Sequence, residues 1–182
     1  MKPRLSQTLL RAETEKGDIV AAVKQMISDL RFTIVDDMSD KPWGAGYRFA
    51  DVDLKPFLKA FYADDTIDVQ KGTTMSPKIL VIAPKSRLSW QYHYRRAELW
   101  KIFVGPVGTI RSSSDREGPV EVHETGALVE CACEQRHRIV GLDNWAVIAE
   151  IWQHTDLSHP SKEEDIVRIS DDFGREGTAS KA

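Results

Sequence analysis

Cysteine is scarce in this 182-residue chain, which carries two, Cys131 and Cys133. Two thiols so close in sequence cannot staple a fold, so a disulfide framework is excluded and both are expected reduced. Long apolar runs are lacking as well. None approaches the roughly 20 residues of a membrane span, and the opening "MKPRLSQTLLRAETEKGD" turns acidic after a few apolar residues, unlike a secretory signal. A cytoplasmic location is the expectation. Excess charge is missing too: a net charge of -3 gives no general attraction to nucleic acid or to anionic lipid, and neither is expected as a partner. No internal repeat is present.

What the chain does have is an ordinary globular composition, 41% hydrophobic and 29% charged, in a length suited to one sizeable domain and rather short for two. The stretch "GDIVAAVKQMISDL" puts Ile19, Val20, Val23, Met26, Ile27 and Leu30 on one helical stripe, with Asp18 as the expected N-cap. From Phe32 onward the texture changes. Short apolar or alternating runs, "RFTIV", "YRFADVDL", "KILVIAP", "WKIFVG", "EVHETGALVEC", "RHRIVG" and "WAVIAEIWQH", alternate with Gly, Pro, Asp and Ser clusters. That pattern predicts an all-β antiparallel sandwich or barrel. "RSSSDREGPV" reads as a solvated connection.

Within "SWQYHYRRAELWKIFVG" (89–105), side chains two apart share a strand face, so Gln91 and His93 point one way and Trp90, Tyr92 and Tyr94 the other. From Gln91 the order is Gln-x-His, four residues to Glu98, and six more to Gly105. Further on, "GALVECACEQRHRIVG" offers Gly126 and His137. Two imidazole nitrogens and the oxygens of Gln91 and Glu98 make a mixed donor set suited to one divalent metal: zinc first, with manganese, iron or cobalt as alternatives.

This spacing resembles the two cupin motifs, with Gln in place of the first motif's leading His. More of the chain is similar to type II mannose-6-phosphate isomerases and the small cupin phosphoheptose isomerases: "KPWG" at 41–44, Lys78 before Pro84, "LSWQYHYRRAELW" at 88–100 and "EEDIVRISDDFGR" at 163–175. The resemblance implies a cupin jelly-roll barrel over 32–175, preceded by an N-terminal helical extension (1–31) and followed by a flexible tail (176–182). It departs from the family where Lys85 and Glu134 stand at glycine positions and Leu99 at a histidine. These changes replace turn-forming residues near the barrel mouth and remove no ligand.

The resemblance also implies the activity: interconversion of an aldose and a ketose phosphate through an enediol, on one divalent metal held by Gln91, His93, Glu98 and His137. A sugar phosphate needs cations. Arg96 and Arg138 are candidate substrate-binding residues, each with the alternative of a solvated surface charge. Arg175 and Lys78 are candidate catalytic residues, with the C-terminal segment folding back over the mouth; the alternative for Arg175 is a surface pair with Asp171 or Asp172. Glu150, set among apolar neighbours, reads either as a proton shuttle of raised pKa or as half of a bridge to an Arg. Cys131 and Cys133 share the alternation parity of His137 and read as small buried hydrophobes, while the five tryptophans read mostly as core. A homodimer is the family expectation. The competing class is a non-catalytic cupin that binds a sugar phosphate or sugar nucleotide.

Overall fold

The computed structural model describes residues 3–63, 65, 67 and 74–175. The tail expected over 176–182 lies outside them. A first helix, α1 (Lys16–Asp29), is followed by strands β1 (Ile34–Asp37) and β2 (Gly44–Phe49), and a second helix, α2 (Leu54–Phe61), leads into β3 (Met75–Ile82). Eight more strands complete the chain: β4 (Trp90–His93), β5 (Arg96–Val104), β6 (Val107–Ser112), β7 (Glu121–His123), β8 (Leu128–Cys131), β9 (Arg136–Val140), β10 (Ala146–His154) and β11 (Ile166–Ser170).

The strands form two antiparallel sheets, ordered β1-β2-β3-β10-β5-β8 and β11-β4-β9-β6-β7. Strands β3 to β10 switch between the sheets at every step except the β6–β7 hairpin, so that β3-β10-β5-β8 face β4-β9-β6-β7, which is the strand order of a jelly roll. The fold is an all-β cupin-type barrel whose two sheets are not closed by hydrogen bonding. No helix among the described residues is long and apolar enough to cross a membrane.

Alternation explains why the larger sheet reads as apolar runs. Ile79, Val81, Val147, Ala149 and Ile151 point outward into a core shared with Ile19, Val23, Met26 and Ile27 of α1 and Phe57 and Phe61 of α2. Leu80, Ile82, Ala146 and Ile148 point inward, against Trp100, Ile102, Val107 and Ile139. With both faces covered, β3 and β10 have no solvent side. Each buried aliphatic side chain contributes about 1.5–3 kcal/mol, so the helices close the outer face rather than decorate it.

Two expectations are corrected. Asp18 is not the N-cap of α1: the helix begins at Lys16 after Glu15, and Asp18 sits in the first turn. The run "YRFADVDL" is a strand only as far as Phe49, beyond which the chain turns into α2. There Phe57 and Phe61, four apart, join Phe32 and Phe49 in an aromatic cluster with ring centroids 4.8–6.4 Å apart. Pro56, in the first helical turn, lacks only an N–H that would have no helical partner. All five tryptophans are buried.

Candidate metal centre and cavity

Register brings the polar residues together. Gln91 on β4 pairs with His137 on β9, and Glu98 on β5 pairs with Trp152 on β10 and Cys131 on β8. Inward-facing positions of the two sheets therefore converge on one end of the barrel. His93, Glu98 and His137 are buried there, with potential ligand atoms all within 4.8 Å of one another.

The donor chemistry of this cluster fits a cation. His137 donates from Nδ1 to the Gln135 carbonyl across 2.7 Å, so its ring is oriented with Nε2 turned into the cluster, buried and without a hydrogen-bond partner among the described residues, 3.4 Å from Glu98 Oε2. His93 Nε2 lies 3.0 Å from Glu98 Oε1, and burial pushes its pKa down to about 4, so the imidazole is neutral near pH 7, as a ligand requires. Burial would raise the Glu98 carboxyl, but His93 and Arg96 beside it hold it well below the usual carboxylate range. The His–Glu–His cluster could hold a divalent metal. Gln91 stands beside it with Nε2 3.4 Å from His93 Nε2 and Oε1 turned to the Ser89 hydroxyl, so ligation through oxygen needs a half-turn of its amide.

A cavity of about 330 Å³ opens beside the cluster, lined by Gln91, Glu98, Lys78, Glu150, Arg96 and Arg175 among others. Glu150 accepts from Trp100 Nε1 across 2.9 Å, and its other oxygen, Oε2, is buried without a hydrogen bond, 3.7 Å from Lys78 Nζ. Its bridge partner is therefore a lysine, not an arginine. Burial and the nearby Glu98 charge push the Glu150 carboxyl up to about 7. Lys78 also lies 3.5 Å from Glu163 and over the Trp152 ring.

Neither candidate substrate-binding arginine is a solvated charge. Arg96 is 2% exposed; its Nε donates to Glu98 and its Nη1 to the Ser161 hydroxyl and the Lys162 carbonyl, while the guanidinium stacks 3.7 Å from the Trp152 centroid. Arg138 is equally buried but is absent from the cavity lining, its donors directed to the Leu88 carbonyl, Glu117 and Asp172. Arg175 lines the cavity and is also gripped by Asp171 through two guanidinium nitrogens. Cys131 sits in the inner apolar cluster, and Cys133 donates to the Tyr94 carbonyl.

Among the lining residues that sequence reasoning did not assign to the site are Glu163 and Arg168, and Trp152, which it read as core. For Arg168 a signal existed, since Ile166, two residues earlier, is buried and fixes the inward face of β11.

No family model and no curated protein matches the chain. Solved cupin-fold structures are similar to it at low identity. The DMSP lyase DddQ from Ruegeria pomeroyi is 12% identical with a TM-score of 0.40, over 50% of this chain and 44% of that one. A sugar phosphate isomerase from a cupin superfamily of Silicibacter pomeroyi is 12% identical, TM-score 0.38, over 43% and 50%. KdgF from Halomonas sp. is 11% identical, TM-score 0.45, over 73% and 97%. The chain spans half or less of the length of the first two. Overlaps of this size carry no activity over to this chain, and its chemistry has to be read from its own residues.

Proposed function

We propose that the chain is a metal-dependent aldose–ketose isomerase acting on a sugar phosphate, with mannose 6-phosphate and then sedoheptulose 7-phosphate as the first substrates to try. The observation that carries this reading is Glu150, a carboxyl pushed up to about 7 that shares one cavity with Glu98 of the His–Glu–His cluster and with Lys78, Arg96 and Arg175. A proton carrier works best with a pKa near the operating pH.

His93, Glu98 and His137 would hold the ion, with Gln91 a fourth ligand after its amide turns. A bound divalent ion, zinc being our first choice, would stabilise the negative charge that develops on the sugar oxygens. The ionised Glu150, through its unpartnered Oε2, takes the proton from the carbon beside the carbonyl, giving an enediolate; a hydroxyl proton passes between the two sugar oxygens, and Glu150, having exchanged with solvent, delivers a proton to the neighbouring carbon. Trp100 holds the other oxygen and keeps the carboxyl aimed. Lys78 offsets the Glu150 charge at 3.7 Å. Arg175 serves the phosphate or the developing oxyanion from the mouth, and Arg96 positions Glu98. Arg138, with its donors spent on Glu117 and Asp172, takes a structural part.

The test is metal analysis of the purified protein, then a panel of hexose, pentose and heptose phosphates in deuterated solvent. Turnover with deuterium beside the carbonyl is expected, and Glu150→Gln should lower kcat about 100-fold or more with metal content unchanged. A full rate in Glu150→Gln overturns its role. Loaded protein that binds sugar phosphate but turns none over supports the non-catalytic binding module.

A further inference from the structure

Arg168 lies on the edge strand β11, directly opposite Gln91, which in turn pairs with His137. Residues in register across neighbouring strands share a face, so the three form a row on the inner side of the smaller sheet. Arg168 lines the same cavity as Arg175 and Lys41. Its Nε is buried and has no hydrogen-bond partner among the described residues. Three neighbouring guanidiniums are engaged: Arg95 with Asp165, Arg96 with Glu98, Arg175 with Asp171. Burial and then the Arg175 charge are the leading influences on Arg168, and both disfavour its ionised form; Glu163 and Asp171 attract it less. A half-buried guanidinium whose Nε has no hydrogen bond among the described residues, lining one cavity with a second guanidinium, is a costly arrangement. An anion carrying several acceptor oxygens between the two forks would relieve both the desolvation and the repulsion.

We propose that Arg168 and Arg175 form an anion clamp that receives the phosphate group of the substrate. Their guanidinium planes supply the donors, and the row through Gln91 sets the phosphate at one side of the cavity with the His–Glu–His cluster beyond it. The identity of the substrate rests on the isomerase reading; the clamp is a property of the two arginines and is tested with inorganic phosphate.

The experiment is calorimetric titration of the whole protein with inorganic phosphate at fixed metal content, repeated on Arg168→Gln and Arg168→Lys, with the melting temperature of each in phosphate-free buffer. The expected result is phosphate affinity about tenfold or more weaker in Arg168→Gln and intermediate in Arg168→Lys, which keeps the charge but loses the fork. The phosphate-free melting temperature of Arg168→Gln should equal or exceed that of the unmodified protein, because an unrelieved charge has been removed. Unchanged phosphate affinity in Arg168→Gln overturns the clamp. So does a wild-type protein that does not bind phosphate, or that binds acetate equally well. If Arg168→Gln fails to fold, Arg168→Lys decides alone, an undiminished affinity being the adverse outcome. The two readings separate cleanly: phosphate binding that depends on Arg168 without turnover of any sugar phosphate removes the isomerase and keeps the clamp, and turnover with Arg168-independent phosphate affinity does the reverse.

Discussion

Arg96 donates from Nε to Glu98 Oε1 across 2.9 Å, with both side chains closed off from solvent. The carboxylate divides its oxygens: Oε1 faces Arg96 and His93, and Oε2 faces Nε2 of His137. Glu98 thus already has one cation and a free side for a second. Taking one partner from a buried pair costs about 3–5 kcal/mol, because the remaining charge is left uncompensated. Arg96→Met should destabilise the metal-free protein by that order, and stoichiometric zinc should restore part of the loss. Urea unfolding of both proteins with and without zinc reads this. Equal destabilisation in the two conditions would mean that no ion shares Glu98 with Arg96.

Much of this site was legible because polar residues interrupt apolar runs. Lys78 in "KILVIAP" and Glu150 in "AVIAEIWQH" are the inward-facing exceptions on otherwise apolar strands, and β3–β10 register sets them opposite each other. Strand alternation put Gln91 and His93 on one face, whereas Glu98, beyond the β4–β5 turn, and His137, on β9, were read from their resemblance to the cupin motif spacing. Arg138 was not readable. Its partners Glu117 and Asp172 come from a loop and from the segment after β11, and only the folded chain brings them to it. The helix α2 was hidden by composition, since "YRFADVDL" alternates like a strand until tertiary contact of Phe57 and Phe61 decides the conformation.

Glu150 makes stability depend on pH in a direction unusual for a carboxylate. Its folded pKa is about 7 against an ordinary 4.5, so between these values the unfolded chain has released the proton while the folded chain keeps it. Stability from this group is complete below about pH 4.5 and falls as pH rises towards 7, by on the order of 3 kcal/mol. His93 acts oppositely. Its folded pKa of about 4 against 6.5 means the unfolded chain takes the proton first, so stability rises with pH over that window. The two nearly cancel in the wild-type protein. Unfolding of metal-free wild-type and Glu150→Gln from pH 4.5 to 7.5 isolates the falling component: the wild-type stability relative to the variant should decline steadily. A flat difference would show that Glu150 ionises as an ordinary carboxyl.

Two turns, at opposite ends of β9, carry a conformation their residues do not favour. Lys85 has φ of 58° and Glu134 φ of 62°, the left-handed region that glycine adopts most readily. The backbone keeps its geometry through hydrogen bonds, from Lys85 N to the Leu142 carbonyl and from Glu134 N to the His93 carbonyl. The second of these anchors the carbonyl of a candidate ligand, so the turn is held by the site as well as by its own residues. A side chain in this region costs about 1–2 kcal/mol, and glycine would return about 0.5–1 kcal/mol of that as extra freedom of the unfolded chain. Glu134 is exposed and its side chain lines no described cavity near the cluster, so Glu134→Gly should raise stability by roughly 0.5–1 kcal/mol with metal stoichiometry unchanged. Urea unfolding together with metal analysis checks both halves. A loss of stability would mean that the Glu134 side chain contributes more than the strain it imposes, and a loss of metal would mean that the turn's stiffness, not its shape alone, holds His93 in place.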